Sequence, residues 1–279
     1  MYKIIRNEKL HKVIYSMWVE APDIARHIQP GQFIILMITE KGERIPLTVA
    51  DFNRSKGLIR IVFQVVGRTT EELSTLKGGD KLFSFFGPLG KKTDIKNYGT
   101  VVTIGGGTGI ACIHNITRAL KKVGNKVISI IGAKTKELII MEEEIRKASS
   151  ELIITTDDGS YGRKGFVTKA LKELLDKDKS IKRIWAIGPA IMMKVVCEIT
   201  KPYLIKTIVS LHSIMVDGVG MCGSCRVTIR GETKFSCVNG PEFDGQLVDW
   251  VGFMKRLNCF REQEQRSWEF YKLKGGGNN

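Results

Sequence analysis

The sequence predicts an antiparallel β-domain over residues 1–97, a doubly wound parallel α/β domain over 98–213, and a cysteine-containing segment over 214–279. Two observations lead to this prediction. The first third of the chain has short strand-like runs separated by Gly and Pro turns, whereas the middle alternates Val- and Ile-rich runs with helical stretches. With 279 residues, of which 43% are hydrophobic, the chain is long enough for two separate cores.

The strand-like runs of the first domain are bounded by glycines and prolines, as in antiparallel sheets with tight turns. This spacing predicts an antiparallel barrel or sandwich. One short helix is expected to start at Thr69 or Thr70 and to run through Leu76. The predicted strands cover 11–19, 32–38, 58–66 and 81–86.

The second domain has short apolar runs of the kind that are buried on both faces of a parallel sheet. Their alternation with helical stretches predicts a doubly wound sheet of about five strands. We predict strands at 100–104, 126–131, 152–156, 183–187 and 206–211, and helices at 111–122, 138–148, 164–175 and 190–201. In the tail we expect one helix over 242–257, followed by a charged end.

Composition excludes several classes of protein. The net charge is +15, but the lysines and arginines are scattered among acidic residues, which is typical of a solvated surface and not of a nucleic-acid module. No apolar run is long enough for a membrane span, and the first residues lack a signal peptide's pattern. We therefore predict a cytoplasmic protein without nucleic-acid or membrane partners, whose six cysteines are thiols or ligands, not disulfides.

A glycine-rich segment near residue 220 contains Cys222 and Cys225, and eleven residues separate that pair from Cys237. Two cysteines separated by two residues can bind one metal centre, and backbone N–H groups of a glycine loop can point at thiolate or sulfide. A two-iron cluster is favoured over zinc because the third cysteine stands alone. A fourth ligand is required, and the sequence offers Asp217, His212, Asp244 and Cys259.

A second glycine-rich stretch, 105–109, stands between a predicted buried strand and a predicted helix. Such a turn lets the backbone approach a pyrophosphate at a helix N-terminus, although a simple tight turn is the alternative. Polar residues also follow the third and fourth strands, where ligands bind in such sheets and where turn or cap chemistry is equally expected. The sequence leaves open whether the bound nucleotide is NAD or NADP. The predicted nucleotide-binding residues are Gly106, Gly107, Thr108, Gly109, Asp157, Asp158, Gly188 and Pro189.

The first domain has two candidate segments for a flavin nucleotide. An arginine followed four residues later by a hydroxyl could hold a phosphate and a flavin edge, and a glycine before a helix start could bind a pyrophosphate. The alternatives are a surface arginine and a threonine cap. The candidate residues are Arg44, Pro46, Leu47, Thr48, Gly67, Arg68, Thr69 and Thr70.

These motifs together resemble the ferredoxin–NADP reductase superfamily, in which a flavin-binding barrel precedes a nucleotide-binding sheet. The resemblance covers nearly the whole chain and is carried by the motifs at 30–33, 44–48, 87–90, 105–109 and 188–189. Within it, the tail is similar to the electron-transfer subunit of dihydroorotate dehydrogenase, whose loop carries four cysteines. Asp217 occupies the position of the first of them, and Thr69 stands where that superfamily usually has glycine.

The aspartate and the segment 214–226 look like a narrower group, the small subunits of electron-bifurcating NADH-dependent ferredoxin:NADP oxidoreductases. That resemblance implies FAD, NAD(H) or NADP(H), a larger flavin and iron–sulfur partner subunit in a heterodimer, and a 2Fe-2S cluster. It also implies that FAD carries the hydride transfer without a catalytic side chain. The implied cluster ligands are Asp217, Cys222, Cys225 and Cys237.

Other functions remain open on this sequence. The alternatives are a standalone ferredoxin–NAD(P) reductase, whose basic surface would suit an acidic ferredoxin, a sulfide dehydrogenase subunit, and a zinc-stabilised nucleotide-binding regulatory subunit without enzymatic activity.

Overall fold

A computed structural model describes residues 1–273 and begins with a seven-stranded antiparallel sheet that forms a nearly closed barrel. The strand order is β6-β1-β2-β5-β4-β3-β7, and the barrel interior is filled by Ile, Leu, Val and Phe side chains. This confirms the predicted antiparallel barrel. The strands are β1 (Tyr2–His11), β2 (Ile14–Glu20), β3 (Phe33–Met37), β4 (Ile45–Asn53), β5 (Leu58–Gln64), β6 (Lys81–Leu82) and β7 (Ser84–Leu89).

Two short helices, α1 (Pro22–His27) and α2 (Arg68–Thr75), accompany the barrel. The prediction of α2 is confirmed to within two residues. Most of the strand predicted at 11–19 is β2, but its start was wrong because a turn after His11 separates β2 from β1, which the sequence pattern missed. The sequence pattern also missed β4, which contains Pro46. Proline is tolerated there because β5 pairs with β4 only from Val49 onward, so that Pro46 has a neighbouring strand on one side.

The second sheet has strand order β11-β10-β9-β8-β12-β13-β16, and helices cover both of its faces. Its parallel strands confirm the predicted doubly wound domain; the short strand β11 and the antiparallel edge strand β16 were not predicted. The strands before the tail are β8 (Thr100–Gly106), β9 (Lys126–Ala133), β10 (Glu151–Thr156), β11 (Arg163–Lys164), β12 (Ile181–Ile187) and β13 (Lys206–Ser210). The helices are α3 (Gly109–Lys122), α4 (Glu142–Ala148), α5 (Val167–Lys177) and α6 (Ala190–Thr200).

The tail is more elaborate than the single helix predicted over 242–257. Its first residues form β16 and pair with β13, and the helix begins only after Asp249, whose side chain accepts the N–H of Gly252 as an N-cap. A further helix follows where only a charged end was expected. The elements are β14 (Arg226–Ile229), β15 (Glu232–Phe235), α7 (Ser236–Asn239), β16 (Glu242–Asp244), α8 (Trp250–Leu257) and α9 (Arg261–Leu273).

The domain boundaries after residues 97 and 213 stay predictions. Within residues 1–273, none of the helices combines the length and the apolar character that crossing a membrane requires.

Candidate functional site

The glycine loop 105–109 lies at the point where the second sheet reverses its winding. Strand β8 has β9 on one side and β12 on the other, so its carboxyl end opens into the crevice where doubly wound sheets bind ligands. A Cβ atom added to Gly188 would lie 3.1 Å from the Cα of Gly106, and one added to Gly106 would lie 3.2 Å from Cδ of Pro189. The fold therefore brings these predicted nucleotide-binding residues together.

The glycines of this loop are required for different structural reasons. A Cβ on Gly109 would lie 2.1 Å from the carbonyl oxygen of Ile187, so α3 can approach β12 only without a side chain there. Gly107 instead has φ of +56° and open space around it. The Thr108 side chain makes no capping hydrogen bond to α3, and in the described structure the N–H groups of Ile110 and Ala111 donate to the carbonyls of Gly107 and Thr108, so an anion at this helix start would meet the N–H groups that precede them.

Asp157 and Asp158 follow β10, which β9 separates from β8, so they lie about 10 Å along the sheet from the glycine loop. The Asp158 carboxylate accepts the N–H and hydroxyl of Ser160, and these bonds lower its pKa. Burial raises the pKa of Asp157. Asp158 thus performs the turn chemistry that was the alternative, and a nucleotide role for the pair stays a prediction.

Strand β4 presents two of the predicted flavin residues on one face. Pro46 stands opposite Ile35 and Thr48 opposite Phe33 in the antiparallel register with β3, so their side chains share the face of those partners. The Leu47 side chain packs with the barrel core instead. A flavin on the outer face would meet Pro46 and Thr48, and Leu47 could contribute only its backbone.

The start of α2 lies beside the start of β4. The Thr69 hydroxyl donates to the carboxylate of Glu43, the neighbour of exposed Arg44, so the two predicted flavin segments meet. The hydroxyl of Thr70 bonds back to the peptide groups of Val66 and Gly67. Gly67 has no side chain with which to cap the helix, so the N–H groups of its first turn remain for an anion.

Cys112, predicted as a core residue, packs against an apolar cluster and also lies beside one of the predicted flavin residues, a contact that sequence reasoning missed. It lies one turn into α3, its thiol contacts the carbonyl of Thr108 at 3.8 Å, and the Thr48 hydroxyl lies beside it. Burial raises the pKa of the thiol to about 11 despite that hydroxyl. The outer face of β4 and the glycine loop are therefore neighbours, a contact that no sequence spacing signals.

Helix α3 is fixed against β4 by hydrogen bonds to the strand's backbone. The Asn115 amide donates to the carbonyl of Val49 at 2.9 Å, and the His114 ring bonds the carbonyl of Ala50. A cavity of about 610 Å³ lies at the far end of α3 from the glycine loop, away from the predicted nucleotide site.

The loop before β14 is folded around Asp217. One carboxylate oxygen accepts the N–H of Val219 at 2.9 Å, and the other accepts those of Met221 at 3.0 Å and Cys222 at 2.6 Å. These bonds lower the pKa of Asp217, that of Val219 contributing most. Gly218, Gly220 and Gly223 all have positive φ, which the tight winding of the loop requires.

The three cysteines of the segment occupy different environments. Cys225 and Cys237 are buried with their sulfur atoms 3.2 Å apart, whereas Cys222 is exposed next to Asp217. Among residues 1–273, no three His, Cys, Asp or Glu side chains converge as a single metal ion would require. The donors instead form two pairs, Asp217 with Cys222 and Cys225 with Cys237. A two-iron cluster takes two protein ligands on each iron, so the donor set fits such a cluster better than zinc.

The other residues considered as a fourth ligand lie elsewhere. Asp244 belongs to β16 and accepts the N–H of Gln246, Cys259 is exposed between α8 and α9, and the ring of His212 packs edge-on against Phe253.

The cysteine loop packs directly on the barrel. Phe33, Ile35 and Leu89 form one apolar cluster with Cys225 and Cys237. A Cβ on Gly218 would lie 2.7 Å from Cδ1 of Ile35, which shows how closely the loop approaches β3. The loop thus meets the β3 side chains that share a face with Pro46 and Thr48 of β4.

Comparison with known proteins agrees with this layout. Residues 212–249 match the iron-sulfur cluster binding domain of dihydroorotate dehydrogenase B, and 103–198 match the oxidoreductase NAD-binding domain. A Thermotoga maritima protein named as a homolog of the dihydroorotate dehydrogenase B (NAD(+)) electron transfer subunit is 46% identical over 98% of this chain and 96% of its own length. The electron transfer subunit from Desulforamulus reducens is 34% identical, over 85% of this chain and 92% of its own.

A chain in a solved structure of an NADH-dependent reduced ferredoxin-NADP oxidoreductase, determined for insights into flavin-based electron bifurcation, superposes with a TM-score of 0.92. It is 44% identical and covers 97% of this chain and 98% of its own.

The fold and the site define an electron-transfer protein of the oxidoreductase class, with an NAD-binding domain and an iron–sulfur cluster-binding domain. Since the similarity extends over nearly the full length of its relatives, the chain belongs to the family of dihydroorotate dehydrogenase B electron transfer subunits.

Proposed function

We propose that this chain passes electrons between NAD(H), FAD and a 2Fe-2S cluster, to or from a larger flavin and iron–sulfur subunit. The enzyme we propose is an NADH-dependent ferredoxin:NADP oxidoreductase that bifurcates electrons, and the chain with a TM-score of 0.92 supports this choice. Asp217 in place of a first cysteine argues against a role in pyrimidine synthesis.

The observation that carries the proposal is the order of the three sites. Thr48 contacts Cys112, which lies one turn beyond the glycine loop, and the Thr48 strand adjoins β3, on which the cysteine loop is packed. Neighbouring strands are about 4.8 Å apart, so one strand spacing separates the proposed flavin face from the cluster segment. Such short separations suit direct electron transfer in a line.

The residues for FAD are those on the outer face of β4 and at the start of α2. Arg44 and the free N–H groups after Gly67 would hold the phosphates, and Pro46 and Thr48 would line the ring. Bound there, FAD would supply the exchange between the two-electron chemistry of nicotinamide and the one-electron chemistry of the cluster. Gly106, Gly107 and the start of α3 would hold the pyrophosphate of NAD(H) in the adjoining crevice.

The residues for the cluster are the two donor pairs, Asp217 with Cys222 and Cys225 with Cys237. The Asp217 carboxylate has lone pairs beyond those that its three N–H donors occupy, so it can order the loop and still bind iron. Apolar burial of Cys225 and Cys237 against β3 keeps water from that pair.

Copurification of the native protein with its partner, followed by stopped-flow reduction with NADH and NADPH separately, tests the proposal. We expect a larger flavin and iron–sulfur subunit to copurify. Purification of the fully active chain alone would contradict the proposal and favour a standalone reductase. A colourless metal-bound chain would favour the zinc-stabilised regulatory subunit.

Arg44→Ala tests the flavin site, with Arg26→Ala as a matched control, because Arg26 is an exposed arginine on α1, outside both predicted flavin segments. We expect only Arg44→Ala to lose flavin on gel filtration. A full flavin complement in Arg44→Ala would refute this assignment.

Asp217→Ala tests the cluster site, and we expect its iron and sulfide content to fall several-fold and its electron paramagnetic resonance spectrum to change. Asp217→Cys restores a thiolate and should retain the cluster. Unchanged iron content in Asp217→Ala would refute Asp217 as a cluster ligand.

A further inference from the structure

The C-terminal helix α9 lies against α2, the helix whose start forms part of the proposed flavin site. The guanidinium of Arg68, in the first turn of α2, lies 5.4 Å from the ring centre of Tyr271 on α9. No residue of α9 is buried, so the helix adds nothing to either core. Its position needs another explanation.

A cavity of about 450 Å³ lies between Val66 and one face of α9. The residues of α9 that line it recur at helical spacing and include Arg261, Glu264, Trp268 and Lys272. Val66 directly precedes Gly67, so this cavity borders the segment that leads into the proposed phosphate site. It is large enough for an adenosine group.

The chemistry of this face suits a purine nucleoside. Trp268 offers a flat aromatic surface, and Lys272 holds its ammonium 4.0 Å from the ring centre of that indole. Glu264 could accept from a ribose hydroxyl.

We propose that α9 forms the adenosine subsite of the flavin site, with Trp268 stacking on the adenine of FAD. The subsite rests on the proposed function, because it takes the flavin phosphates to lie at the start of α2. It makes the chain selective for FAD over FMN, which has no adenosine. Arg68 and Tyr271 hold α9 in place beside that helix start.

Titration of flavin-free protein with FAD and with FMN separately, followed by quenching of flavin fluorescence, tests this subsite. Trp268→Ala should weaken FAD binding about tenfold and leave FMN binding unchanged. The tenfold loss corresponds to the binding contribution of one base stacked on an aromatic side chain. Trp268→Phe should restore most of the loss. Phe260→Ala is the matched control, since Phe260 is an exposed aromatic residue next to α9 that does not line the cavity.

A chain shortened to residue 258 removes the whole helix and should bind FAD and FMN with similar affinity. Because α9 has no buried residue, both cores remain intact in that variant. Unchanged FAD affinity in Trp268→Ala, equal weakening of both flavins, or tighter FAD binding by the shortened chain would overturn the subsite. Failure of the wild-type chain to bind either flavin would instead overturn the proposed function.

Discussion

Two glycine-rich loops lie on either side of strands β3 and β4, one following β8 and the other preceding β14. In the first, Gly105 and Gly109 have no room for a side chain, since a Cβ would lie 2.7 Å from the Cα of Ile110 or 2.1 Å from the oxygen of Ile187. In the second, Gly220 and Gly223 have positive φ, and an added Cβ would meet only side-chain atoms at 3.2 Å or more. Contact with neighbouring backbone therefore excludes a side chain at two positions of the first loop. All three glycines of the second loop have positive φ, and of these only Gly218 is closely packed, against side chains of the barrel.

The polar contacts differ in the same way. The glycine loop of the second sheet is joined to the next strand by a backbone bond from the Gly107 N–H to the carbonyl of Gly132. The cysteine loop is organised from within, by the three N–H groups that Asp217 accepts. We infer that a nucleotide site in a rigid crevice needs close approach of two elements. A loop that wraps a cluster needs inward-pointing N–H groups, whatever packs outside it.

The largest effect is expected for Gly109→Ala. The added methyl would meet the backbone of β12, which cannot move without disturbing the sheet, so the free energy of unfolding should fall by about 3 kcal/mol. Urea denaturation of the purified variant measures this loss.

Gly107→Ala is the matched control in the same loop. Its φ is positive but nothing lies within 4 Å, so the cost should be about 1 kcal/mol, from backbone strain alone. Equal losses in the two variants would show that packing does not fix this loop.

The second effect concerns Glu242, which anchors the cysteine segment to the rest of the molecule. Its carboxylate accepts the Thr93 hydroxyl at 2.6 Å, and it lies next to Trp185 and near Asp94. Burial raises the pKa of Glu242 from 4.5 to about 7, although the bond from Thr93 opposes that shift.

Because the folded state holds this proton more tightly than the unfolded chain, stability from Glu242 is complete below pH 4.5 and is lost as the pH rises to about 7. The loss should be on the order of 3 kcal/mol. Glu242→Gln should remove this part of the pH dependence in urea denaturation across that range. A variant with the same pH dependence as the wild type would exclude Glu242 as the titrating group.

The sequence was most informative where burial alone decides structure. The strands predicted at 100–104, 126–131 and 183–187 lie within β8, β9 and β12, because Val- and Ile-rich runs buried on both faces have few alternatives. Strand β16 was mistaken for helix because three residues carry no periodicity, and only the free edge of β13 makes them a strand.

The candidate sites show the same difference between local features and contacts that form only on folding. Motif spacing found the glycine loop and the cysteine segment, since each is a local feature of the chain. The contact of Thr48 with Cys112 arises only when α3 docks on β4 through Asn115 and His114, residues 66 and 64 positions away from their partners. Contacts between distant segments of this kind have no local signature.

The smallest effect is expected when Gly223→Ala is compared with Gly231→Ala. This pair is also the sharpest test of the difference between the two glycine-rich loops. Both glycines have positive φ, +69° and +80°, and an added Cβ has no heavy atom closer than 3.8 Å in either case. Each substitution should therefore cost about 1 kcal/mol of stability through backbone strain. Gly231 lies in the β14–β15 turn, outside the cysteine loop.

The two variants should separate in their iron content. Gly223 follows Cys222 directly, so strain there redirects the N–H groups and the thiol of the cysteine loop, and we expect Gly223→Ala to retain markedly less iron and sulfide than Gly231→Ala at equal stability. Iron and sulfide assays on anaerobically purified protein measure the difference. Equal iron content in the two variants would mean that the positive φ of Gly223 serves only the turn, and that the inward-pointing N–H groups of this loop do not depend on it.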